Sequence, residues 1–462
     1  MKNEQIKSYE MDMCNGPILK KMLLFAIPLM CSSVLQLLFN AADIVVVGRF
    51  AGDNSLAAVG SNTALISLLT NLFIGLSIGA NVLAARYYGA KQEKALSETV
   101  HTSMLLSVYS GIILTVIGLI GAKRILIWMQ TPEEVLDLAA LYLRIYFIGM
   151  TATMIYNFGS AVLRAIGDTK RPLYYLFVAG IINVILNLIF VIVMKLDVAG
   201  VALATVISQC ISAFLVVRCL MREQGGMKLI LKNLHIHKDK FASILKIGLP
   251  AGFQGIVFSL SNVVIQSSVN LFGATVMAGN SAAANIEGFV YFAMNAFYQA
   301  TISFTSQNMG AKNYERINKI VLVGEMCVTV TGIVLGNLMV LGGESLLGFY
   351  SSSPEVIEAG MHRLRVISAT YALCGMMDVM VGALRGIGYS VMPMIVSLIG
   401  ACGLRLLWLA TIFQVDRFHN VFIIYLSYPI TWLITLSVHI ICFIWARRKI
   451  TKQQFCIKRV VA

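Results

Sequence analysis

Four polar side chains that could bind a cation fall within apolar stretches of the first half of the chain. They are Asp43, the pair Asn183 and Asn187, and Thr205. Counted at about 1.5 Å per residue from the predicted extracellular helix ends, Asp43 lies roughly 7 Å deep, Thr205 and Asn187 roughly 9–12 Å, and Asn183 about 18 Å. Their oxygens suit Na⁺, and the carboxylate alone suits a proton. Asn and Thr also join membrane helices by hydrogen bonds, so a structural role for the amides stays open.

A second set of ionisable residues lies in the other half: Glu287, Asp378 and Arg405. Glu287 and Arg405 share a depth of roughly 15–17 Å, and Asp378 is about 10 Å deeper. Because an unpaired buried charge is costly, we expect Arg405 to pair with a carboxylate, and depth favours Glu287. The other carboxylate would then carry a proton or a cationic substrate, unless the charges only form a static pair. Tyr291 and Tyr298 follow Glu287 on its helix and could face flat cations, although packing is the commoner role.

Residue patterns for catalysis or structural metal binding are missing. His101 and His439 stand alone, and Asp43 and Asp378 lie in different halves of the sequence. The nine cysteines include no CxxC pair, which argues against a zinc site and against a disulfide framework. We therefore expect neither an enzyme nor a cofactor, apart from H⁺ or Na⁺ as a coupling ion.

Composition places these residues in a membrane. Mean hydropathy is +0.80, 58% of residues are apolar and only 13% are charged, which is typical of a chain that crosses the bilayer many times. Apolar runs predict an all-α membrane protein of twelve transmembrane helices, six in each half. The predicted helices, numbered 1 to 12, are 18–47, 55–85, 96–121, 134–162, 172–195, 198–221, 241–271, 277–308, 317–342, 356–385, 391–414 and 420–446.

Charge placement predicts the orientation. Most of the 36 Lys and Arg residues fall in segments on the same side as the N-terminus. By the positive-inside rule, both termini are then cytoplasmic in a multi-pass protein of the cell membrane. The net charge of +14 follows from this bias and from attraction to anionic membrane lipid. We expect no nucleic-acid partner, because no soluble domain is available to hold one.

The two halves repeat each other. The motif that starts at Leu163 recurs at Leu384, and the motif that starts at Gly89 recurs at Gly310 with the same separation along the chain. An even number of helices per half makes the repeat parallel, which is typical of transporters built from two lobes. The predicted domains are an N-lobe (1–221, helices 1–6), a basic cytoplasmic linker (222–240) and a C-lobe (241–462, helices 7–12).

These motifs together resemble the multidrug and toxic compound extrusion (MATE) family over nearly the whole chain. The segments that carry the resemblance are 42–48, 163–172, the pair Asn183 and Asn187, 200–209, 307–312 and 384–386. The resemblance implies a V-shaped monomer of two six-helix lobes that exports organic cations and drugs against H⁺ or Na⁺. It implies a cation site at Asp43, Asn183, Asn187 and Thr205, which Asn157 joins in some relatives. It also assigns the family's helix-10 aspartate to Asp378.

The chain departs from the family pattern in two places. Many relatives carry a carboxylate in helix 7, whereas residues 249–271 contain none, so Glu287 of helix 8 could replace it. One branch has an acidic second residue in the polar pair of helix 5, where this chain has Asn187. Asp43 is then the sole acid of its constellation, which limits the charge exchanged there.

The sequence therefore predicts a secondary active antiporter that exports cationic or amphipathic small molecules by alternating access, with Asp43 as the coupling residue. Each of the two solutes must bind the two lobe arrangements with different affinity, because coupling requires it. The alternative is a lipid-linked oligosaccharide flippase of the same two-lobe plan. A flippase would need several inward-facing cations for pyrophosphate, and only Arg405 lies deep in the sequence pattern.

Overall fold

A computed structural model of the chain describes residues 9–461, except for the side chains at 53, 61, 63, 64 and 453–461. Within this range, nine helices are long and apolar enough to cross a membrane, and two bent pairs raise the number to eleven if each pair is one span. Predicted helix 8 is present as the 37-residue helix Ala274–Gly310, which carries many polar residues but is long enough to span a bilayer. The prediction of an all-α membrane protein with twelve helices is confirmed.

The helices, numbered α1 to α12 in chain order, follow the predicted apolar segments. They are α1 (Ile18–Phe50), α2 (Asp53–Gly89), α3 (Glu93–Trp128), α4 (Glu133–Ile148 and Met150–Ala165), α5 (Lys170–Asn187, then a π turn Leu188–Val193), α6 (Asp197–Arg222), α7 (Lys238–Asn270), α8 (Ala274–Gly310), α9 (Tyr314–Leu341), α10 (Pro354–Ile367 and Ala372–Gly386), α11 (Val391–Ser397, a π turn Leu398–Gly403, then Leu404–Ala410) and α12 (Val421–Val461). Lys2 and Lys7 of the predicted cytoplasmic N-terminus lie outside the described residues.

The helices form two compact units. Unit 1 comprises Ile27–Gly252, Gly310–Lys312 and the described part of Met1–Asn15, and unit 2 comprises the remainder of the described chain, including Gly16–Ala26. Unit 1 thus takes the first half of α7, and unit 2 takes the first turns of α1. The lobe and linker boundaries predicted from the sequence stay a prediction.

Both halves end a helix at the repeated Leu-Arg motif in the same way. Gly167 and Gly388 have φ angles of 91° and 104°, which glycine adopts without strain. The N–H of each glycine bonds to the carbonyl of the motif arginine, at 3.0 and 2.9 Å, and the next N–H bonds to the carbonyl of the motif leucine, at 3.1 and 2.9 Å. This pair of bonds is the Schellman helix end, so the sequence repeat encodes a repeated turn.

A close helix contact is also repeated. A Cβ added at Gly111 of α3 would lie 2.3 Å from Cα of Thr151 in α4, and one added at Gly332 of α9 would lie 2.6 Å from Cα of Ala372 in α10. Gly332 follows Gly111, and Ala372 follows Thr151, by the same number of residues that separates the repeated motifs. Small residues that let two backbones approach closely are typical of packing in membranes. The two halves therefore share a packing plan as well as motifs.

Two kinds of helix irregularity occur in helices that carry predicted site residues. The segments of α4 meet at 47° around Gly149, and those of α10 meet at 44°. The π turn of α5 begins directly after Asn187, and the π turn of α11 ends two residues before Arg405. Turns of this type are rare and are often found at functional sites.

Candidate functional site

The predicted cation site of unit 1 is a connected set of side chains from α1, α5 and α6. The Asn187 amide donates a hydrogen bond to Oδ1 of Asp43 and another, of 3.3 Å, to Oδ1 of Asn183. The Asn183 amide donates to Oγ1 of Thr205 at 3.4 Å. Thr205 in turn donates to the Val201 carbonyl of its own helix at 3.0 Å. The structure thus brings together the four residues that the sequence placed at similar depth.

Small residues one turn away allow this convergence. Gly180 of α5 faces the ring of Phe39 in α1, and a Cβ there would lie 1.8 Å from a ring carbon. Gly200 of α6 lies in the same way against Phe190 in the π turn of α5, with a Cβ separation of 3.0 Å. A larger residue at either position would push the helices apart. Asp43 and Thr205, one turn or so further along, could then not reach the asparagine pair.

The charge of Asp43 has only neutral hydrogen-bond partners within the described residues. Its carboxylate accepts from an amide, and it takes part in no ion pair of the described chain. Asn187 is fully buried, and its Oδ1 has no hydrogen-bond partner among the described residues. A buried acceptor of this kind can bind an ion or a water molecule. A carboxylate and free amide oxygens are the ligand types that hard cations take.

Asn157 is the weakest member of the predicted set. It is half-buried in the second segment of α4. Among the described residues, it makes none of the hydrogen bonds that connect Asp43, Asn183, Asn187 and Thr205. Its role in cation binding stays a prediction. Within the described chain there is also no group of three or more His, Cys, Asp or Glu residues that could hold a metal ion.

In unit 2, Glu287 pairs with Arg363. The Arg363 guanidinium donates three hydrogen bonds to the carboxylate, at 2.7, 3.2 and 3.2 Å, and both side chains are buried. It also donates to Oδ1 of Asn280 at 2.7 Å, and that oxygen accepts a further bond from Tyr425 at 3.1 Å. Bidentate pairing with extra hydrogen bonds is the arrangement that makes a buried ion pair tolerable.

The expectation that Arg405 pairs with Glu287 is wrong. The Arg405 guanidinium lies 3.9 Å from the ring centroid of Tyr428 and 5.9 Å from that of Trp432, and it donates to Thr431 at 3.1 Å. All three partners lie within a little more than one turn of α12. Depth along a helix does not say which way a side chain points, and the ring faces of α12 take the place of the carboxylate.

The remaining predicted residues of unit 2, Tyr291, Tyr298 and Asp378, lie near one another on α8 and α10. Tyr298 accepts a hydrogen bond from Arg385, which also donates to Gln254 at 2.7 Å. Asp378 is half-buried in α10 and belongs to no ion pair of the described residues. Tyr291 is half-buried and contacts the neighbouring Phe292 edge-on at 5.8 Å. Whether these three residues bind substrate or ion stays a prediction.

Two further residues were missed by sequence reasoning. Arg363 lies in α10 and is buried by its pairing with Glu287, although a helix position alone does not reveal that. Glu325 lies in the middle of α9, and both of its carboxylate oxygens are buried without a hydrogen-bond partner in the described structure. A single acid between apolar residues was the available signal for Glu325, since such a residue is expensive in a membrane helix.

An apolar cavity of about 590 Å³ lies between α1 and α5 in unit 1. Its volume falls in the range of small-molecule sites, about 300–1,000 Å³. Its walls carry almost no polar surface, which suits the apolar part of an amphipathic molecule. The lining residues are Met30, Cys31, Val34, Leu35, Leu173, Tyr174 and Phe177.

Comparison with known proteins gives the family. The sequence pattern of the family described as MatE matches residues 28–189 and 250–410, one match in each half. The chain belongs to the MatE family. The first matched stretch contains Asp43, and the second contains Glu287, Arg363 and Arg405. MatE proteins are membrane transporters and not enzymes, so the prediction that the chain is not an enzyme is confirmed.

Relatives of this MatE protein match it over most of their length. It is 29% identical to the probable multidrug resistance protein YoeA of Bacillus subtilis (strain 168), over 94% of this chain and 95% of that protein. It is 21% identical to the multidrug export protein MepA of Staphylococcus aureus (strain NCTC 8325 / PS 47), over 84% and 85%. A solved outward-facing structure of a multidrug resistance MATE family transporter has the same fold, with a TM-score of 0.87, 21% identity, and coverage of 96% of this chain and 98% of that one.

Proposed function

We propose that this protein is a secondary active multidrug efflux antiporter, which exports cationic or amphipathic small molecules in exchange for inward H⁺ or Na⁺. The observation that carries the proposal is the Asp43 site. It is a membrane carboxylate held by neutral amides, next to a buried amide oxygen without a donor. Such a group can gain and lose a positive charge without breaking an ion pair. We further infer a monomer in the cell membrane with both termini in the cytoplasm.

The hydrogen bonds suggest how ion binding changes the site. As a carboxylate, Asp43 accepts a hydrogen bond from Asn187 and connects α1 to α5. A proton on Asp43 removes one acceptor position, and a Na⁺ would compete for the same oxygens. Either event changes the preferred packing of α1 against α5. The ion and the exported molecule are coupled if each binds the two transporter arrangements with different affinity.

Two observations support the substrate class. The cavity between α1 and α5 is apolar and of drug size. Several relatives, including YoeA and MepA, are named as multidrug resistance or export proteins. A molecule with a flat apolar body and a positive charge would suit the cavity with its apolar part and a carboxylate with its charge.

The flippase alternative has less support. A pyrophosphate group would need several cations without partners in the interior of the protein. On α10, the charge of Arg363 is neutralised by Glu287. Arg405 and Arg385 form no ion pair with a carboxylate among the described residues, but Arg405 is covered by aromatic rings and Arg385 donates its hydrogen bonds to Tyr298 and Gln254.

The test is ethidium efflux from proteoliposomes under an imposed pH gradient or an imposed Na⁺ gradient. The proteins compared are the wild type, Asp43→Asn and the control Asp137→Asn, whose side chain in α4 is 83% exposed. We expect one gradient to drive efflux and Asp43→Asn to reduce it by about 5- to 150-fold, the usual range of coupling between two ligands. The control should transport normally.

Intact coupled efflux by a folded Asp43→Asn protein would refute Asp43 as the coupling residue. Failure of both gradients to move ethidium with the wild type would instead refute the substrate class. Lipid-linked substrates would then be tested in the same vesicles.

A further inference from the structure

Glu325 is a carboxylate in the interior of unit 2 that the proposed mechanism does not use. It lies eleven residues after the start of α9 and sixteen before its end, which places it roughly 16 and 24 Å from the two helix ends. Both of its oxygens are buried and without a hydrogen-bond partner among the described residues. An ionised carboxylate is costly in such a place unless a cation or a hydrogen-bond donor stabilises its charge.

The glycine before Glu325 lies in a tight helix junction. A Cβ added at Gly324 would lie 2.8 Å from Oγ1 of Thr301 in α8 and 3.3 Å from a methyl carbon of Val379 in α10. Thr301 is fully buried, and its hydroxyl oxygen also has no hydrogen-bond partner among the described residues. Thr301 and Glu325 thus carry three buried oxygens without partners among the described residues, on two helices that pack at Gly324. Unsatisfied groups of this kind call for a ligand or a functional reason.

Helix register places Glu325 level with Asp378. The contacts that set the antiparallel register of α9 and α10 are Gly336 with Ser368, Gly332 with Ala372, Val328 with Gly375, and Gly324 with Val379. The residue number falls along α10 as it rises along α9, so residues 325 and 378 lie at the same height on the two helices. No hydrogen bond joins the two carboxyl groups within the described structure.

The other titratable groups on the helices packed here are engaged elsewhere or lie apart. On α8 they are Glu287, which pairs with Arg363, together with Tyr291 and Tyr298. On the second segment of α10 they are Cys374, Asp378 and Arg385, and Arg385 donates to Tyr298 and Gln254. On α1, whose Met22 lies near Gly324, they are Lys20 and Lys21 in the first turn. None of them hydrogen-bonds to Glu325.

We propose that Glu325 binds and releases a proton in each transport cycle, as a second coupling residue in unit 2. This proposal rests on the proposed antiport and extends it. The proton would enter from the outer aqueous phase, convert the carboxylate to a neutral carboxyl group in the arrangement described here, and leave to the cytoplasm in the other arrangement. The two oxygens of Glu325 are fewer than the roughly six that hard cations take, so this position suits a proton better than Na⁺.

The first test does not depend on transport. Infrared difference spectra between high and low pH would be recorded for the purified wild type, for Glu325→Gln, and for the control Glu358→Gln, whose side chain is 77% exposed. We expect a band of a buried carboxyl group in the wild type and in the control that changes with pH and is missing in Glu325→Gln. Identical spectra for all three proteins would overturn the proposal. A Glu325 band that never changes with pH would overturn it too, because the proton would then be permanent.

The second test counts protons. Proton uptake and ethidium efflux would be measured together in proteoliposomes with an imposed pH gradient. We expect Glu325→Gln to lower the number of protons per ethidium by one, and Glu325→Asp to restore it. An unchanged ratio in folded Glu325→Gln overturns the proposal. If the wild type does not move ethidium at all, the proposed function fails, and the infrared result alone decides the role of Glu325. If Glu325→Gln does not fold, Glu325→Asp must shift the pH dependence of the infrared band, and an unshifted band is contrary evidence.

Discussion

The buried acids Asp43 and Glu287 lie in two halves of the chain that share a packing plan, yet their surroundings differ. Asp43 accepts a hydrogen bond from the neutral amide of Asn187, and no described cation neutralises it. The Arg363 guanidinium donates three hydrogen bonds to Glu287. A charge with neutral partners can be changed by one ion, whereas a bidentate pair resists change. The first arrangement suits coupling, and the second suits a fixed structural role.

The difference shows what duplication kept and what it did not. The glycine contacts at Gly111 and Gly332 occur at equivalent positions of the two halves. The charged sites do not, because Asp43 corresponds to the apolar Ile265 of α7, and Glu287 corresponds to an apolar position of α2. Close backbone contacts tolerate little change in side-chain volume. Polar residues, in contrast, can arise by substitution on any helix face that meets the interior. Each half could thus acquire its own chemistry on a shared framework.

The largest effect should come from breaking the fixed pair. Arg363→Met leaves Glu287 buried and unpaired, and we expect a loss of about 3–5 kcal/mol in the free energy of unfolding. Thermal unfolding in detergent would measure it. The double variant Glu287→Gln with Arg363→Met should recover most of this loss, because no charge is left unpaired.

The exposed pair Lys123–Asp137 provides the control for that prediction, since its side chains are 49% and 83% exposed. Lys123→Met should cost less than about 1 kcal/mol. Equal losses for Lys123→Met and Arg363→Met would mean that burial of the second pair has no energetic consequence.

A smaller and equal effect is expected at the two repeated glycines. Gly111→Ala and Gly332→Ala each force a Cβ to within 2.3 and 2.6 Å of a facing Cα, and overpacking of this kind costs about 1–3 kcal/mol. Thermal unfolding would again be the measurement. The controls are Gly60→Ala and Gly288→Ala, which have nothing within 4 Å of the new atom. A loss at only one of the repeated positions would show that the halves do not share this contact.

The smallest effect should come from the edge of the Asp43 site. Thr205→Val removes the hydroxyl that Asn183 bonds at 3.4 Å, a long hydrogen bond, and we expect about 0.5 kcal/mol of lost ion binding. This corresponds to roughly a twofold weaker apparent affinity for the coupling ion, measured from the ion dependence of efflux. The control is Thr411→Val, whose hydroxyl bonds only to the Leu407 carbonyl of its own helix. A tenfold change would mean that Thr205 contacts the ion directly.

Helix positions and the depth of polar residues could be predicted from the sequence, because both follow from apolar run length and helix rise. Depth was enough for Asp43, Asn187 and Thr205, since three helices meet there. It was not enough for Arg405, because depth leaves the direction around the helix axis open. The ring faces of Tyr428 and Trp432 lie on another helix, and only the packing shows them. The bend of α4 at Gly149 was likewise hidden inside one apolar run.

The packing of Arg405 against aromatic rings, without a carboxylate partner among the described residues, has a consequence for voltage dependence. The Glu287–Arg363 pair carries no net charge, so its displacement through a transmembrane voltage does no electrical work. Arg405 keeps a full positive charge that no described carboxylate cancels. A unit charge that crosses the whole field exchanges about 2.3 kcal/mol for each 100 mV. Any step in which α11 shifts along the membrane normal would therefore depend on voltage, even if the exchange of ion for substrate were electroneutral.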